Sequence, residues 1–293
     1  MTPHRVSLFA RAGRDPAALI GLGVLAAMAI AATAGPAMLP EPDAIDLYAR
    51  LEPPTLGHLL GTDELGRDVL ARLLAGGRIS LMVAGATALL AATIGTAVGL
   101  TAGYFGGRAD AVLMRVTDGV MALPLLPLLV VLAAVDPAKL GLPGDSDASE
   151  AVAVGRIVVI IALVGWTTVA RLVRGATLSL RARDHVRAAI AMGAGPWRIM
   201  VRHILPEVAS PMVVAATLSV GNIILLESAL SFLGLGVQPP LASWGNMLTG
   251  AMDEVWTAPL LALWPGLGIF LAVLAFNLLG EGLQTALDPR RAG

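Results

Sequence analysis

Six apolar segments, each long enough to cross a lipid bilayer, constrain this chain to a bundle of membrane-spanning helices. A hydrocarbon core about 30 Å thick takes roughly 20 apolar residues in helical form, and a helix satisfies its own backbone hydrogen bonds there. The predicted spans are 16–38, 80–104, 113–135, 151–174, 212–235 and 258–279. We therefore predict an all-α, polytopic membrane protein with six transmembrane helices.

Composition supports this prediction and argues against several functions. Of the 293 residues, 56% are hydrophobic and 14% are charged, whereas soluble domains carry about 25% charged residues. The net charge of −1 gives no indication of nucleic-acid binding. Because cysteine is absent, disulfides and thiolate metal sites are excluded. The histidines have no carboxylates at ligand spacing, so we predict no metal site.

The single lysine argues against nucleotide binding by this chain. A Walker A phosphate loop requires Gly-Lys-Ser/Thr, but Lys139 is followed by Leu140. The polar segments contain no evident nucleophile–base pair either. We therefore predict that the chain is not an enzyme and has no cofactor of its own. If transport uses ATP and Mg²⁺, partner chains bind them.

The basic residues predict the orientation of the bundle. With the N-terminus inside, most of the 20 lysine and arginine residues fall on inner segments, as the positive-inside rule requires. Both termini and the loop after the fourth span are then cytoplasmic. Segment 16–38 follows three arginines and could be a cleaved signal peptide, but it is longer than a typical signal core, so we interpret it as a retained anchor.

The loop between the fourth and fifth predicted spans is polar, basic and patterned as a helical hairpin. Asp184 can cap a short helix, and Gly193 and Gly195 allow a turn. Pro196 suits the first turn of a second helix, which Pro206 ends. We expect this hairpin either to fit into another protein or to rest on anionic lipid headgroups.

The hairpin resembles the coupling loop of ATP-binding cassette (ABC) importer permeases. The pattern of that loop is Glu-Ala-Ala, three residues, Gly, nine residues, Ile, one residue, Leu-Pro, and the ending His-Ile-Leu-Pro is similar to the dipeptide/oligopeptide/nickel branch. Arg187 and His203 stand at the glutamate and isoleucine positions. The resemblance implies that the coupling residues are Asp184, Arg187, Ala188, Ala189, Gly193, Pro196, Arg198, His203, Leu205 and Pro206.

A second motif, the outer signature, precedes the second span. Its residues Gly61, Thr62, Asp63, Leu65, Gly66, Arg67 and Asp68 resemble the signature that opens the second permease subunit of this family. Thr62 or Asp63 can cap a short helix. Apolar residues at 69, 70, 73 and 74 recur at helical spacing and give one apolar face, and arginines at 67, 72 and 78 mark the polar side. We predict an interfacial helix on the outer surface. It sets the angle of the second span, contacts a binding protein, or does both.

Glycines recur four residues apart within the second span. They occupy positions 95, 99 and 103 and so share one helix face. Such a face of small residues predicts the close approach of another helix.

A stretch containing glycine and proline follows the fifth span. Its sequence over 230–240, together with Ser243, Trp244 and Gly245, also resembles the family. Irregular backbone at membrane depth is tolerated where protein buries it or where it lines a cavity. We predict either an outer gate or a re-entrant structural turn. The candidate path residues are Glu227, Gln238, Pro239, Pro240 and Trp244.

Glu227 is the one carboxylate well inside a predicted span. Such groups are costly in the membrane and usually face the bundle interior. Glu227 can bind a cationic substrate, carry a proton, or accept hydrogen bonds from a neighbouring helix. We favour the last role, because no second buried charge completes a relay.

The resemblance covers nearly the whole chain and implies a type I ABC importer permease fold. Residues 1–78 would hold the cytoplasmic N-terminus, the first span and the external amphipathic segment. Residues 79–293 would form a core of five spans that contains the 184–206 coupling loop. The implied partners are a second homologous permease subunit, one or two cytoplasmic ABC ATPases, an extracytoplasmic substrate-binding protein and the lipid bilayer of the bacterial cytoplasmic (inner) membrane.

The function that the resemblance implies is ATP-driven import of peptides or a related small solute. On the residues alone, two alternatives from other classes stay open. One is a proton-coupled secondary transporter that uses Glu227. The other is a membrane scaffold whose loop recruits a soluble enzyme.

Overall fold

A computed structural model of the chain describes residues 15–135 and 150–287, and the prediction of an all-α fold is confirmed. Within these ranges there is no β-strand. The helices are α1 (Pro16–Ala34), α2 (Val69–Phe105), α3 (Gly107–Ala122), α4 (Leu125–Ala134), α5 (Glu150–Arg181), α6 (Asp184–Ala191), α7 (Pro196–Ile199), α8 (Leu205–Phe232), α9 (Trp244–Met252) and α10 (Leu260–Leu287). A π turn, Met200–Ile204, joins α7 to α8.

In the part of the chain that the structure describes, five helical segments are long and apolar enough to cross a membrane. They are Pro16–Ala37, Val69–Phe105, Glu150–Arg181, Pro196–Phe232 and Leu260–Ala286. Helices α3 and α4 together make a sixth candidate, bent by 90°. The third predicted span, 113–135, is therefore broken. The break falls at Leu123 and Pro124, because a proline favours an extended conformation in the residue before it.

The second span is longer than predicted, and the predicted interfacial helix is part of it. Residues 69–74 form the first turns of α2 and not a separate element. The expected caps, Thr62 and Asp63, are also wrong: the carboxylate of Asp68 accepts the hydrogen bond from the Ala71 amide at 2.8 Å. Asp63 is engaged instead by the backbone amides of Leu65 and Arg67, both at 2.9 Å.

The bundle is organised around α2 and α8. Helix α2 packs along α5 and α8, while α10 packs between α1 and α8. The main core lies where α2, α4, α5, α8 and α10 meet, and it contains Val83, Leu129, Ile161, Ile224 and Ala272. Helix α3 is joined to the C-terminal half of α5 by two ion pairs, Arg174 with Asp110 and Arg171 with Asp118.

The predicted glycine face forms the seam between α2 and α5. A Cβ atom added at Gly95 would lie 2.6 Å from the carbonyl oxygen of Trp166, and one at Gly99 would lie 2.5 Å from that of Ala170. At Gly103 it would lie 2.7 Å from Cβ of Thr177. All three contacts are too short for any larger residue, so the two backbones approach closely only because these positions are glycine.

We expect Gly99→Ile to destabilise the folded subunit by about 1–3 kcal/mol, because the added side chain overpacks the seam. Thermal unfolding of the detergent-solubilised protein measures this change. The matched control is Gly85→Ile on the same helix, where an added Cβ meets nothing within 4 Å. Equal unfolding temperatures for the two variants would contradict the close packing of α2 against α5 at Gly99.

Candidate coupling site and outer gate

The first half of the coupling hairpin is an eight-residue helix, α6. Asp184 is its first residue and not its cap, since Arg183 holds the capping position without a side-chain hydrogen bond. The acidic side chain still suits the positive end of the helix dipole. Val186 and Ala189 point into the protein and are buried, whereas Ala188 is exposed. The two alanines therefore lie on different faces, and only Ala188 is available to a partner.

The turn of the hairpin depends on one glycine. Gly193 has a φ of +82°, which side-chain-bearing residues rarely adopt. Next to it, the Ala194 amide donates to the Ala189 carbonyl at 3.0 Å and so closes the end of α6. Gly195 has an ordinary φ of −68°, and Pro196 begins α7 as predicted.

Pro206 does not end the second helix of the hairpin, contrary to prediction. A proline cannot donate to the carbonyl four residues earlier and usually kinks a helix. Here the wider π turn, Met200–Ile204, precedes the proline and leads directly into α8. Pro206 lies in the first turn of α8, where its missing N–H costs no helical hydrogen bond. The second half of the hairpin and the fifth span are therefore one helical segment, Pro196–Phe232.

A hydrophobic cluster fastens the hairpin to three spans; we call it the inner cluster. Val186 of α6 and Ile199 of α7 pack in it with Ile204, Val208 and side chains of α2 and α5, chiefly Leu100, Tyr104, Val169, Val173 and Leu180. Glu207 adds polar contacts to the start of the hairpin, accepting from Arg183 at 3.3 Å and lying 3.1 Å from the His185 ring. The hairpin is thus packed directly against α2, α5 and α8.

The exposed tip of the hairpin carries two residues that the sequence analysis missed. Met192 and Trp197 flank the turn and are 81% and 75% exposed. Arg187 and Arg198 are exposed on the same hairpin. Two large apolar side chains beside a turn in an otherwise polar loop were a signal that could have revealed them. The tip combines apolar and cationic groups, which suits a protein groove with acidic residues.

Glu227 lies at the centre of a polar network inside the bundle and is fully buried. The Ser231 hydroxyl donates to its carboxylate at 2.7 Å, and Ser228 lies at 3.5 Å. Ser80 of α2 and Ser243 before α9 also hydrogen-bond to the carboxyl group. Four hydroxyls from three parts of the chain therefore surround Glu227, which supports the structural interpretation.

The segment after α8 is a compact turn with an exposed tip. The Ser231 hydroxyl accepts a hydrogen bond from the Val237 amide at 3.0 Å and folds the chain back. Gln238, Pro239 and Pro240 are exposed beyond it. Trp244 is buried, and its indole N–H donates to the Leu73 carbonyl of α2 at 3.1 Å. The predicted path residues thus divide into an exposed tip and a buried pair, Glu227 and Trp244.

The polar residues of the outer signature contact other parts of the same chain. Gly61 and Gly66 have positive φ values of 81° and 74°. Thr62 donates to the Ala49 carbonyl and accepts from the Glu52 amide, and Arg67 bonds to Asp63 at 2.7 Å. These contacts support the interpretation of the signature as a linker that sets the position of α2.

The histidines have closer carboxylate partners than their sequence spacing indicates. His58 lies 2.9 Å from Asp68, and His185 lies 3.1 Å from Glu207. Each is a pair. Across residues 15–135 and 150–287, no group of three or more side chains is arranged to hold a metal ion. His4 lies outside the described residues.

Comparison with known proteins identifies the family to which this architecture belongs. The family model described as "Binding-protein-dependent transport system inner membrane component" matches residues 95–293. A glutathione transport system permease protein of Pectobacterium atrosepticum is 42% identical over 271 residues, covering 92% of this chain and 85% of the relative. A nickel transport system permease protein of Escherichia coli K12 is 41% identical over 273 residues, covering 92% and 93%.

The chain belongs to the family of binding-protein-dependent inner membrane transport components, in its dipeptide/oligopeptide/nickel branch. It is a multi-pass permease subunit of an ABC importer. The predicted membership of the dipeptide/oligopeptide/nickel branch of ABC importer permeases is thereby confirmed.

We expect Glu227→Gln to support normal uptake, because an amide still bonds to the surrounding hydroxyls. Glu227→Ala leaves those hydroxyls without their acceptor and should destabilise the subunit by about 1–3 kcal/mol. Uptake at several external pH values and thermal unfolding measure the two effects. Loss of uptake by the glutamine variant at normal expression would instead indicate a proton-carrying role.

Proposed function

We propose that this chain is one of two membrane subunits of an ATP-driven importer in the bacterial cytoplasmic membrane. The observation that carries the proposal is the coupling hairpin, which is anchored by the inner cluster to α2, α5 and α8 while its tip stays exposed. A loop that only rested on lipid would not need this anchoring. The basic residues support a cytoplasmic position for the hairpin and both termini.

The proposed partners follow from two features of the chain: it has no phosphate-binding loop, and it exposes the tip of the coupling hairpin. One or two cytoplasmic ATPase subunits receive the hairpin tip and bind ATP and Mg²⁺, because this chain has no Gly-Lys-Ser/Thr phosphate loop. A second, homologous permease subunit completes the translocation path. An extracytoplasmic binding protein delivers the cargo to the outer side.

The mechanism is a two-state change driven from the cytoplasmic side. When ATP binding closes the ATPases, the hairpin moves with them. Since Val186 and Ile199 pack in the same cluster as Leu100 and Val173, that movement tilts α2, α5 and α8 together. The path then opens outward, and hydrolysis returns it. Each ligand acts through its different affinities for the two states.

The cargo is a peptide or a related small solute. The relatives named above carry the names of glutathione and nickel transport systems. A Brucella suis protein 43% identical over 280 residues, covering 94% of this chain and 88% of the relative, carries the name of a peptide permease. These names support a small, polar cargo. A proton-driven transporter has less support, because hydroxyl groups already surround the carboxylate of Glu227.

Reconstitution tests the proposed function directly. We expect proteoliposomes with this chain, the second permease, the ATPases and the binding protein to take up labelled dipeptide, glutathione or nickel chelate only with ATP inside. Vesicles that contain this chain alone should take up none of these. Uptake by the single chain, driven by a pH gradient without ATP, would contradict the importer and establish the secondary transporter.

The hairpin tip gives a sharper prediction. We expect Met192→Ala with Trp197→Ala to weaken ATPase binding by roughly tenfold or more, because exposed anchors of this kind dominate interface energies. Co-purification of the ATPases in mild detergent measures the effect. The control is Phe270→Ala, which removes an aromatic side chain exposed on α10. If both variants retain the ATPases equally, the tip is not the docking element.

A further inference from the structure

Two asparagine side chains lie exposed on the membrane-spanning part of the bundle. Asn222 belongs to α8 and Asn277 belongs to α10, and both lie within segments that are apolar enough to cross the membrane. Each side chain has two N–H donors and an acceptor oxygen. Among residues 15–135 and 150–287, neither side-chain amide has a hydrogen-bond partner. We call Asn222 and Asn277 the amide pair.

The two members of the amide pair lie at the same level. A Cβ atom added at Gly280 of α10 would lie 2.4 Å from Cδ2 of Leu218, and one added at Gly221 of α8 would lie 3.7 Å from Oδ1 of Asn277. Helices α8 and α10 therefore run antiparallel along this contact. Asn222 is the residue directly after Gly221 and so lies beside Asn277 along the axis of the pair.

Both amides also face the same side of this helix pair. On α8, Asn222 lies about 100° further round the helix than Gly221, which contacts α10. On α10, the residues that contact α8 include Val273 and Gly280, and Asn277 lies about 50° further round from their shared line. Because the two right-handed helices run in opposite directions, these two displacements turn toward the same side.

Helix α1 shows that this level is inside the hydrocarbon layer. A Cβ atom added at Gly21 would lie 2.6 Å from the carbonyl oxygen of Ala275 and 2.9 Å from the amide nitrogen of Leu279, so Asn277 is level with Gly21. Asp15 caps the start of α1, and Gly21 is six residues further on, or about 9 Å. No charged residue occurs between positions 16 and 40. An unpaired amide that faces lipid at such a depth is costly.

Threonines on the surfaces of the spans avoid this cost within their own helices. The hydroxyls of Thr93, Thr101 and Thr217 donate to the carbonyl oxygens four residues earlier, at 2.8, 2.7 and 2.8 Å. The threonines thus present mainly their methyl groups to lipid. The amide pair has no such internal partner, so its side of the α8–α10 pair faces polar groups from outside the subunit.

The polar character of this side continues along α10. Glu281 follows Asn277 by four residues, or about one helical turn, and is also exposed. The three residues form a polar strip that runs from α8 to the C-terminal end of α10. Polar and ionisable groups within spans typically mark the route of a transported substrate.

We propose that the amide pair lines the translocation path and forms hydrogen bonds with the backbone of a peptide cargo as it passes. A carboxamide carries the same donor and acceptor groups as a peptide bond, so the pair binds peptides whatever their side chains. Because the pair is uncharged, the cargo is held weakly enough to leave again, as conduction requires. This inference rests on the proposed function and names both the cargo class and two residues that contact it.

Uptake of a labelled dipeptide by the complete importer in proteoliposomes tests the amide pair. We expect Asn222→Leu with Asn277→Leu to lower the maximal uptake rate roughly tenfold, because two hydrogen bonds to the cargo in transit are lost. The dipeptide concentration for half-maximal uptake should not change, since the binding protein captures the cargo. Asn222→Gln with Asn277→Gln keeps both amides and should retain most of the uptake. The matched control, Thr93→Val with Thr101→Val, should transport like the wild type.

Thiol labelling keeps the test decisive if the double leucine variant assembles poorly. The chain has no cysteine, so Asn222→Cys or Asn277→Cys gives the subunit a single thiol. A charged, water-soluble thiol reagent should label both positions in the assembled importer, and transported dipeptide should slow the labelling. The control is Leu89→Cys on α2. Leu89 is 71% exposed one turn from Thr93, so it should face lipid and stay unlabelled.

Three results would overturn the inference. They are normal dipeptide uptake by the assembled double leucine variant, no labelling at either asparagine position, and labelling that dipeptide leaves unchanged. If the wild-type importer itself takes up no cargo with ATP inside the vesicles, the proposed function fails. If the wild-type importer transports and one of the three results is obtained, only the assignment of the amide pair fails.

Discussion

The close approach of α2 and α5 is the contact on which the rest of the subunit depends. Gly95, Gly99 and Gly103 bring the two backbones together along the C-terminal half of α2. Lipid tails are as apolar as the side chains they meet, so packing of this kind, and not the hydrophobic effect, holds membrane helices together. The seam ends where Leu100, Tyr104 and Val173 form the inner cluster. The coupling hairpin therefore rests on a base that two long helices share.

Buried polar groups make the second set of essential contacts. Glu227 and its serines join α2, α8 and the start of α9, while Arg72 joins Asp43 and Asp63 at the outer end. A polar group without a partner in such places is costly, so these networks specify one arrangement of the helices. Trp244 adds an indole bond to the Leu73 carbonyl in the same region.

Much of the fold could be predicted from the sequence, because membrane spans are coded by length and hydropathy, and the glycine seam by a simple spacing. The wrong predictions concern helix ends, where the same local sequence allows more than one backbone arrangement. Pro206 was expected to end a helix, but a π turn accommodates it. Asp63 and Asp68 are equally good caps in sequence, and only Asp68 adjoins α2. The candidate coupling residues are predicted from their pattern, whereas the candidates Met192 and Trp197 stand out only by their exposure, which spacing does not encode.

The unbroken length of α2 has a thermodynamic consequence. One end of this helix follows the outer signature and the other end packs in the inner cluster, and the helix is continuous over its 37 residues. A continuous helix of this kind can link binding events on the two sides of the membrane, and any such coupling is reciprocal. If nucleotide binding to the ATPases changes the affinity of the permease for the cargo-loaded binding protein, then that binding protein must change the affinity of the ATPases for nucleotide by the same factor.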